Sequence, residues 1–386
     1  LSSMKYLILI CRVGVGLILT TFGLFRGIDA VGFSYKINEY IKLLKVDDFE
    51  VLSLPIALIF CASTFASGVA LLSSIKPRIA NWTALGMTLA ATVASYISWH
   101  YNVIHNCVCF GDIFSFESAF DNFVARASIL VAVIFLAIVF RAGQYASYTY
   151  LRYSSIMLWA SIFIIVIGLY GTFNLPLIDF RPFKEGVNIA ESMSVPIDAP
   201  SFEYETILYY RNKQTNEVKP FTEFNYPWKD TINWKYSSRE TKLVKKGYEP
   251  PITDFSIKTE DETDITEEVL QDTTYNFLVI AGDVSHSNLK TQTQLNRLYE
   301  FCKTNGYGFR CLTASSPKQI ARFKIISGAE YEFCTTDATV LKTMLTSNPG
   351  LMLLKSAVII KKWHYNNIPT VDKLKTKYRL QDKKES

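Results

Sequence analysis

"MKYLILICRVGVGLILTTFGLF" occupies residues 4–25. Beyond its first turn it carries one charge, Arg12, in an otherwise apolar run. A helix crosses the hydrocarbon core of a bilayer with about 20 mostly apolar residues. This stretch therefore decides the class of the first half of the chain, and it predicts a membrane-spanning helix. No A-x-A-like cleavage site follows it and further apolar runs do, so a removable signal peptide is not expected. Four more stretches pass the same test. Val51–Ile75 is uncharged, with Pro55 near the start, where proline is tolerated. Ile79–Tyr101 is weaker, with Asn81 and His100. Phe123–Phe140 carries Arg126 near its start, and Tyr153–Phe173 is uncharged.

The chain has 386 residues, 49% of them apolar, and the apolar ones crowd before about residue 175. Lys, Glu, Asp, Thr and Tyr interleave after that point. A membrane half followed by a soluble half is expected. The net charge of +5 is small for this length and forms no long basic run, which argues against nucleic-acid binding.

Lys and Arg in short loops set the orientation. Lys5, the Lys76/Arg78 loop and the Arg141/Arg152 loop fall on one side by alternation of five spans. The His105–Asp121 loop and everything after Phe173 fall on the other. The 29–50 loop conflicts, because it holds Lys36, Lys42 and Lys45 yet belongs outside. The other loops agree with one another, so an inside N-terminus and an outside C-terminal half are expected.

The outer loop contains "NCVCFGD", residues 106–112. Residues i and i+2 of an extended segment point the same way, so Cys107 and Cys109 sit near the upper limit of disulfide reach. Closing that bond requires a bent backbone, which Gly111 assists. A strained disulfide exchanges readily, and an outside compartment lets disulfides persist. Three readings stand: a redox pair, an inert or locally bridged pair, and a metal site from His105, Cys107, Cys109 and Asp112. The C-x-C step is short for zinc, whose usual spacing is C-x₂₋₄-C. Cys11 and Cys61 lie in apolar spans and read as small hydrophobes.

Arg12 sits about two turns inside the first span, facing either the bundle interior or, by snorkelling, the inner surface. Arg26 and Asp29 close the outer end of that helix. The following "GFSYKINEYIKLL" puts Phe33, Ile37, Tyr40, Ile41 and Leu44 at helical spacing, an amphipathic helix on the outer surface. Arg26, Asp29, Lys36 and Glu39 would form a charged rim beside the cysteine loop. That rim suits a quinone head group or a partner, or serves as an interfacial anchor.

"FGLFRGIDAVGFSYKINEYI" together with "CVCFGD" resembles the DoxX-like/MauE family of small four-helix membrane proteins. Arg26 stands where the family pattern has lysine, and Ala30 where it has proline. The resemblance covers about residues 4–145. It implies thiol or quinone redox chemistry, with disulfide formation in exported proteins. Cys107 and Cys109 would be the catalytic pair. Arg12, Arg26, Asp29, Lys36, Glu39 and Asp112 would be the cofactor-binding set, and a membrane quinone the cofactor. The fifth span and soluble extension resemble the long Bacteroidetes-type members. A bacterial inner membrane with a periplasmic C-terminal domain follows from that likeness.

In the soluble half, "FEYETILYYRN" and "EVKPFTEF" read as a hairpin about Gln214–Asn216, in a tethering linker or a small subdomain. From Pro250 onward strands and helices alternate. "ITDFSI" is expected as a strand, "DITEEVL" as a short helix, and "YNFLVIAG" as a buried central strand. A helix over Asn288–Asn305, the strand "GFRCLTA" and a helix over Pro317–Ile326 follow. "AEYEFCTT", a helix around Ala338–Thr346 and a hairpin of "LMLLK" and "AVIIKKWH" complete an α/β layer. This order resembles the thioredoxin-like fold over about residues 250–375, with Pro349 where that fold keeps a cis-proline. The dithiol that should follow the first core strand is missing from "DVSHSN", residues 283–288. The domain is expected to lack dithiol chemistry, with Cys302, Cys311 and Cys334 as buried core thiols and His286 as a solvated loop residue.

The expected organisation is a four-helix membrane domain over residues 1–150 and a fifth span over 151–175. A linker with a hairpin (176–249), the thioredoxin-like domain (250–376) and a polar tail (377–386) follow. The expected partners are the lipid bilayer and a periplasmic protein held by the thioredoxin-like domain. The rival expectation is a non-enzymatic membrane scaffold or assembly factor.

Overall fold

The computed structural model describes residues 2–74, 77–101, 119–141, 155–245, 247–378 and 380. These divide into two compact units, 1–190 with 254–386, and 191–253.

The first unit begins with six helices, α1 (Ser2–Ile28), α2 (Ala30–Leu43), α3 (Ser53–Leu72), α4 (Pro77–Tyr101), α5 (Ala119–Arg141) and α6 (Ser155–Phe173). Four stretches, Met4–Ile28, Asp47–Leu72, Phe120–Val139 and Ser155–Phe173, are long and apolar enough to cross a membrane. The fifth expected span, α4, has the length but less apolar character. Several of its polar groups are bonded inside the bundle, although Asn81 Oδ1 is buried without a partner among the described residues. Asn81 Nδ2 donates to the Val133 carbonyl at 3.1 Å. Thr88, Thr92 and Ser95 return their hydroxyls to carbonyls one turn back. A helix whose polar side chains are bonded in this way can pass through hydrocarbon at modest cost.

Small residues bring the helices together. A side chain at Gly68 of α3 would collide with the Thr20 backbone of α1, and one at Gly168 of α6 would collide with Leu58. Such closeness supplies dispersion contact where no hydrophobic force separates helix from lipid. Ile8, Val15, Leu19, Leu71, Val133 and Leu136 fill the interior.

α2 breaks from α1 at Asp29, whose carboxylate caps it by accepting from Gly32 N at 2.9 Å. A Cβ at position 32 would strike that carboxylate, so glycine fits the cap. The amphipathic helix expected on the outer surface is present, but it is not laid on open surface. It lies across the end of the bundle, with Phe33 against Phe60 at 5.6 Å and Tyr40 Oη donating to the Ala94 carbonyl of α4 at 3.1 Å.

After the short α7 (Ile189–Met193) comes the second unit, with β1 (Glu203–Asn212), β2 (Val218–Thr222) and β3 (Trp234–Lys245) in the order β2-β1-β3, all antiparallel. The expected hairpin is β1–β2. The third strand makes the segment a small sheet rather than a linker. Tyr210 is its hub, with ring centroids 5.8 Å from Phe221, 6.2 Å from Tyr226 and 5.8 Å from Tyr236.

The first unit resumes with α8 (Thr266–Gln271), β4 (Tyr275–Ile280), α9 (Gln292–Asn305), β5 (Gly308–Thr313), α10 (Pro317–Ser327) and β6 (Glu332–Thr335). α11 (Ala338–Met344), β7 (Gly350–Lys355), β8 (Val358–His364) and α12 (Val371–Tyr378) complete it. The sheet order is β6-β5-β4-β7-β8. β4, β5 and β6 run parallel, and β7 and β8 antiparallel. A βαβ unit followed by a hairpin on the other side of its first strand is the thioredoxin-like arrangement. The Asn348–Pro349 bond is cis, as that likeness implies. Phe277, Val279, Leu295, Leu298, Leu351 and Leu353 lie at the centre of the core.

Two local corrections follow. "ITDFSI" is not a strand: only Lys258, just past it, bridges to Thr335 on β6. α12 was not anticipated. Both sheet edges are covered, β6 by Lys258 and β8 by residues 186–189, through Gly186 N to Ile359 O and Ile359 N to Val187 O. Covered edges discourage pairing with other chains.

Candidate functional site

The sequence-predicted residues separate into groups. Arg12 bonds to Ser74 Oγ, just past the C-terminal end of α3. Fourteen helical steps, ~21 Å, separate it from Arg26. The two arginines therefore serve opposite ends of the bundle.

Arg26 is enclosed by aromatic faces. Its guanidinium carbon lies 5.4 Å from the Phe22 ring, 5.1 Å from Phe33 and 5.9 Å from Phe60. Such faces stabilise a cation held away from water. Asp29 is taken up by Arg181, which reaches its Oδ2 through Nη2 at 2.6 Å and Nε at 3.2 Å. Lys36 and Glu39 are half-buried on α2. Cys107, Cys109, His105 and Asp112 lie outside the described residues. The helices on either side of that segment are informative. α4 ends at Tyr101 and α5 starts at Ala119, and both termini belong to the end of the bundle that carries α2.

A small, half-open cleft lies between α1, α3, α4 and α5. Its walls are apolar, with Phe22, Phe60 and Met87 among them, and two arginines, Arg26 and Arg126, line it. Arg126 is held by Asn122 Oδ1 at 2.9 Å through Nε and by the Ala91 carbonyl at 3.2 Å through Nη1. The lining threonines, Thr64 and Thr88, donate to their own helix backbones. The guanidinium groups are thus the cleft's charged donors. Sequence reading noted Arg126 but did not nominate it. A second arginine inside an apolar span was the available signal.

The same end of the bundle meets the soluble part of the unit. Tyr35 Oη donates to the Thr346 carbonyl at 3.2 Å, and Asn366 Nδ2 to the Phe173 carbonyl at 2.9 Å. Phe25 and Phe180 meet edge-on at 5.1 Å. The Asp179–Glu185 segment lies between the two parts. Lys362, fully buried, donates from Nζ to Asp179 at 2.6 Å and to the Phe183 carbonyl at 2.7 Å. Burial pushes its ammonium below the ordinary lysine range, against the pull of Asp179.

The Asp283–Asn288 corner has no cysteine. His286, expected as a solvated loop residue, is exposed and pairs through Nδ1 with Asp283 Oδ2 at 2.7 Å. Burial raises the Asp283 carboxyl, but hydrogen bonds from His286 and Ser285 outweigh it and hold the group below the usual range. Cys302, Cys311 and Cys334 are buried and unbridged. Burial pushes all three thiols up, Cys334 to about 12. Thiolates are the reactive form, so these thiols are inert near neutrality. Among the described residues no cluster of three metal-ligating side chains occurs.

Residues 4–142 match the family described as methylamine utilisation protein MauE. The first third of this chain is a MauE-family domain. With its long apolar helices, the match makes the chain a multi-pass membrane protein. The MauE domain contains α1–α5 and every residue of the cleft. Residues 204–246, the three-stranded sheet, match a domain family of unknown function, DUF8463. No curated protein matches the chain. A solution structure from Bacteroides thetaiotaomicron, described provisionally as a protein disulfide isomerase, is similar at 14% identity and a TM-score of 0.27. The similarity covers 33% of this chain and 84% of that one. So low a score carries no argument, and the thioredoxin-like assignment rests on strand order.

Proposed function

We propose that the chain is a membrane thiol oxidoreductase, with Cys107 and Cys109 as its working pair and a membrane quinone as electron acceptor. The two thiols pass two electrons and two protons to the quinone, giving a disulfide and a quinol. A dithiol on an exported partner attacks that disulfide, regains the Cys107 and Cys109 thiols and leaves with a disulfide of its own. The thioredoxin-like domain, lacking an accessible thiol among its described residues, holds the partner. The proposed compartment is the periplasmic side of a bacterial inner membrane.

One observation carries this reading. The helix ends that bracket the Cys-x-Cys segment share the end of the bundle with the arginines of an apolar cleft and with the soluble domain. A thiol–quinone relay with a partner-holding domain would use one end of the bundle in this way.

Alkylation trapping in cells is the test. Cys107 and Cys109 should appear as a mixture of thiol and disulfide that shifts toward thiol when quinone is depleted. Full complementation of a deletion by the double serine variant would reject the chemistry. Thiols that resist alkylation until a chelator is added, with His105→Ala behaving like the cysteine variants, would indicate a metal site instead.

A second reading, a non-enzymatic scaffold, is favoured by the same inert soluble domain. A relay usually hands electrons to a second dithiol, and Cys302, Cys311 and Cys334 are too deeply buried to supply one.

A further inference from the structure

Among the described residues, β3 is the one long sheet edge that nothing covers. It runs 12 residues, pairs with β1 on one side, and is exposed from Lys235 to Lys245. The other edges are dealt with. β6 and β8 are each covered by a neighbouring segment, and the short β2 carries Pro220, which has no N–H to offer. An open edge presents unpaired N–H and C=O groups to any extended chain. We infer that the β3 edge pairs with the same edge of a second copy, antiparallel about a two-fold axis through Thr241, so that two three-stranded sheets join into one. This inference is independent of the thiol–quinone reading.

The charges choose both the occupant and the register. Residues directly opposite on paired strands share a face, and a two-fold axis through an antiparallel pair sets one residue opposite its own copy. An axis at Arg239, Glu240 or Lys242 sets a charge against itself, which destabilises the pairing. An axis at Ser238 brings no opposite charges together. An axis at Thr241 sets Thr241 against Thr241, and Glu240 against Lys242 of the other copy, twice by symmetry. Both kinds of pair are favourable on a sheet. The overlap then runs from Ser237 to Lys245, with Arg239 opposite Leu243 and Ser238 opposite Val244, and no like charges meet.

The side chains are placed to take part. Glu240 accepts from Tyr209 Oη at 3.0 Å through Oε2, and a carboxylate has room for an ammonium as well. Lys245, at the end of the overlap, is already balanced by Glu203 on β1 at 2.9 Å. Lysines along an edge usually keep other strands away. Here the charges penalise the neighbouring two-fold offsets and reward the one at Thr241, which turns a repelling edge into a selective one. Two copies in one bilayer are confined to a plane with a common orientation, which lowers the cost of their association.

The experiment is cysteine cross-linking of the full-length chain in native membranes, in a background carrying Cys107→Ser and Cys109→Ser. Thr241→Cys should give a disulfide-linked pair of copies on mild oxidation, because directly facing positions lie within disulfide reach. Ser238→Cys, three steps from the axis and so ~20 Å from its own copy, should give at least tenfold less. Co-expressed with Val244→Cys, it should cross-link to that chain. Glu240→Lys should cut the Thr241→Cys product at least tenfold. Adding Lys242→Glu should restore it, which a folding defect would not allow. Equal products at positions 238 and 241, a product unchanged by Glu240→Lys, or no recovery in the double reversal overturns the inference. So does a Thr241→Cys product joined to a different protein in place of a second copy.

Discussion

Asp29 and Arg181 lie 152 positions apart and meet in an ion pair of 2.6 Å, each side chain 4% exposed. The first ends the α1 helix and caps α2, and the second lies in the segment that follows α6. The pair ties the start of the soluble half to the helix that crosses the end of the bundle. Removing one partner of such a pair leaves a buried charge alone and typically costs 3–5 kcal/mol, about a third of a domain's stability.

Asp29→Asn should therefore destabilise the chain by several kcal/mol even though asparagine still caps α2. Arg181→Met added to it should recover part of the loss, because the orphaned charge is gone. Thermal unfolding of the detergent-purified protein checks both. Equal stability of Asp29→Asn and the parent would mean the pair holds nothing.

Acid should loosen the same end through His364. The side chain is buried against Tyr365, and Nδ1 accepts from Asn366 N at 3.2 Å. Burial lowers its pKa to about 4, with the Thr172 backbone pulling the other way. Between about 4 and the unfolded value near 6.5 the unfolded chain binds the extra proton, so stability rises with pH in that window. The contribution is complete above about 6.5 and lost below about 4. His364→Gln should flatten this part of the pH–stability profile, and an unchanged slope would assign the acid response elsewhere.

Cys302, Cys311 and Cys334 should resist maleimide in the folded chain at pH 8 and react fully in denaturant. Their burial and raised pKa values both oppose thiolate formation. Rapid labelling of any one in the native protein would give the soluble domain a thiol available for a relay.

Membrane-impermeant labelling of intact spheroplasts should reach a reporter in the 213–216 turn and miss one in the 76–78 loop. The basis is the alternation of Lys and Arg across the five helices. Labelling of the 76–78 loop would place the Cys-x-Cys segment in a reducing compartment.

The legible parts of the sequence were those where burial wrote a pattern. "YNFLVI" is buried from its second residue on and was readable as β4. β3 was not: nearly every residue of "WKYSSRETKLVK" is exposed, so it has no apolar alternation to detect. "ITDFSI" shows the converse, since Ile252, Phe255 and Ile257 are buried without strand pairing. The charged residues at the end of the bundle were individually visible, but their partners were not. Nothing local couples Asp29 to Arg181, or Arg126 on α5 to Arg26 on α1.

The family match stops at residue 142, yet α6 begins at 155 and Gly168 presses against Leu58 and the carbonyl of Gly27. The inherited segment and the mechanical one thus have different limits. In this chain the flank of α1 and α3 is sealed by a helix from outside the family boundary. A chain that ended after α5 would present that glycine-lined flank to lipid. It would need bulkier side chains there, or a second copy pressed against it. In this chain the seal depends on Gly27 and Leu58, where α6 makes its close approach.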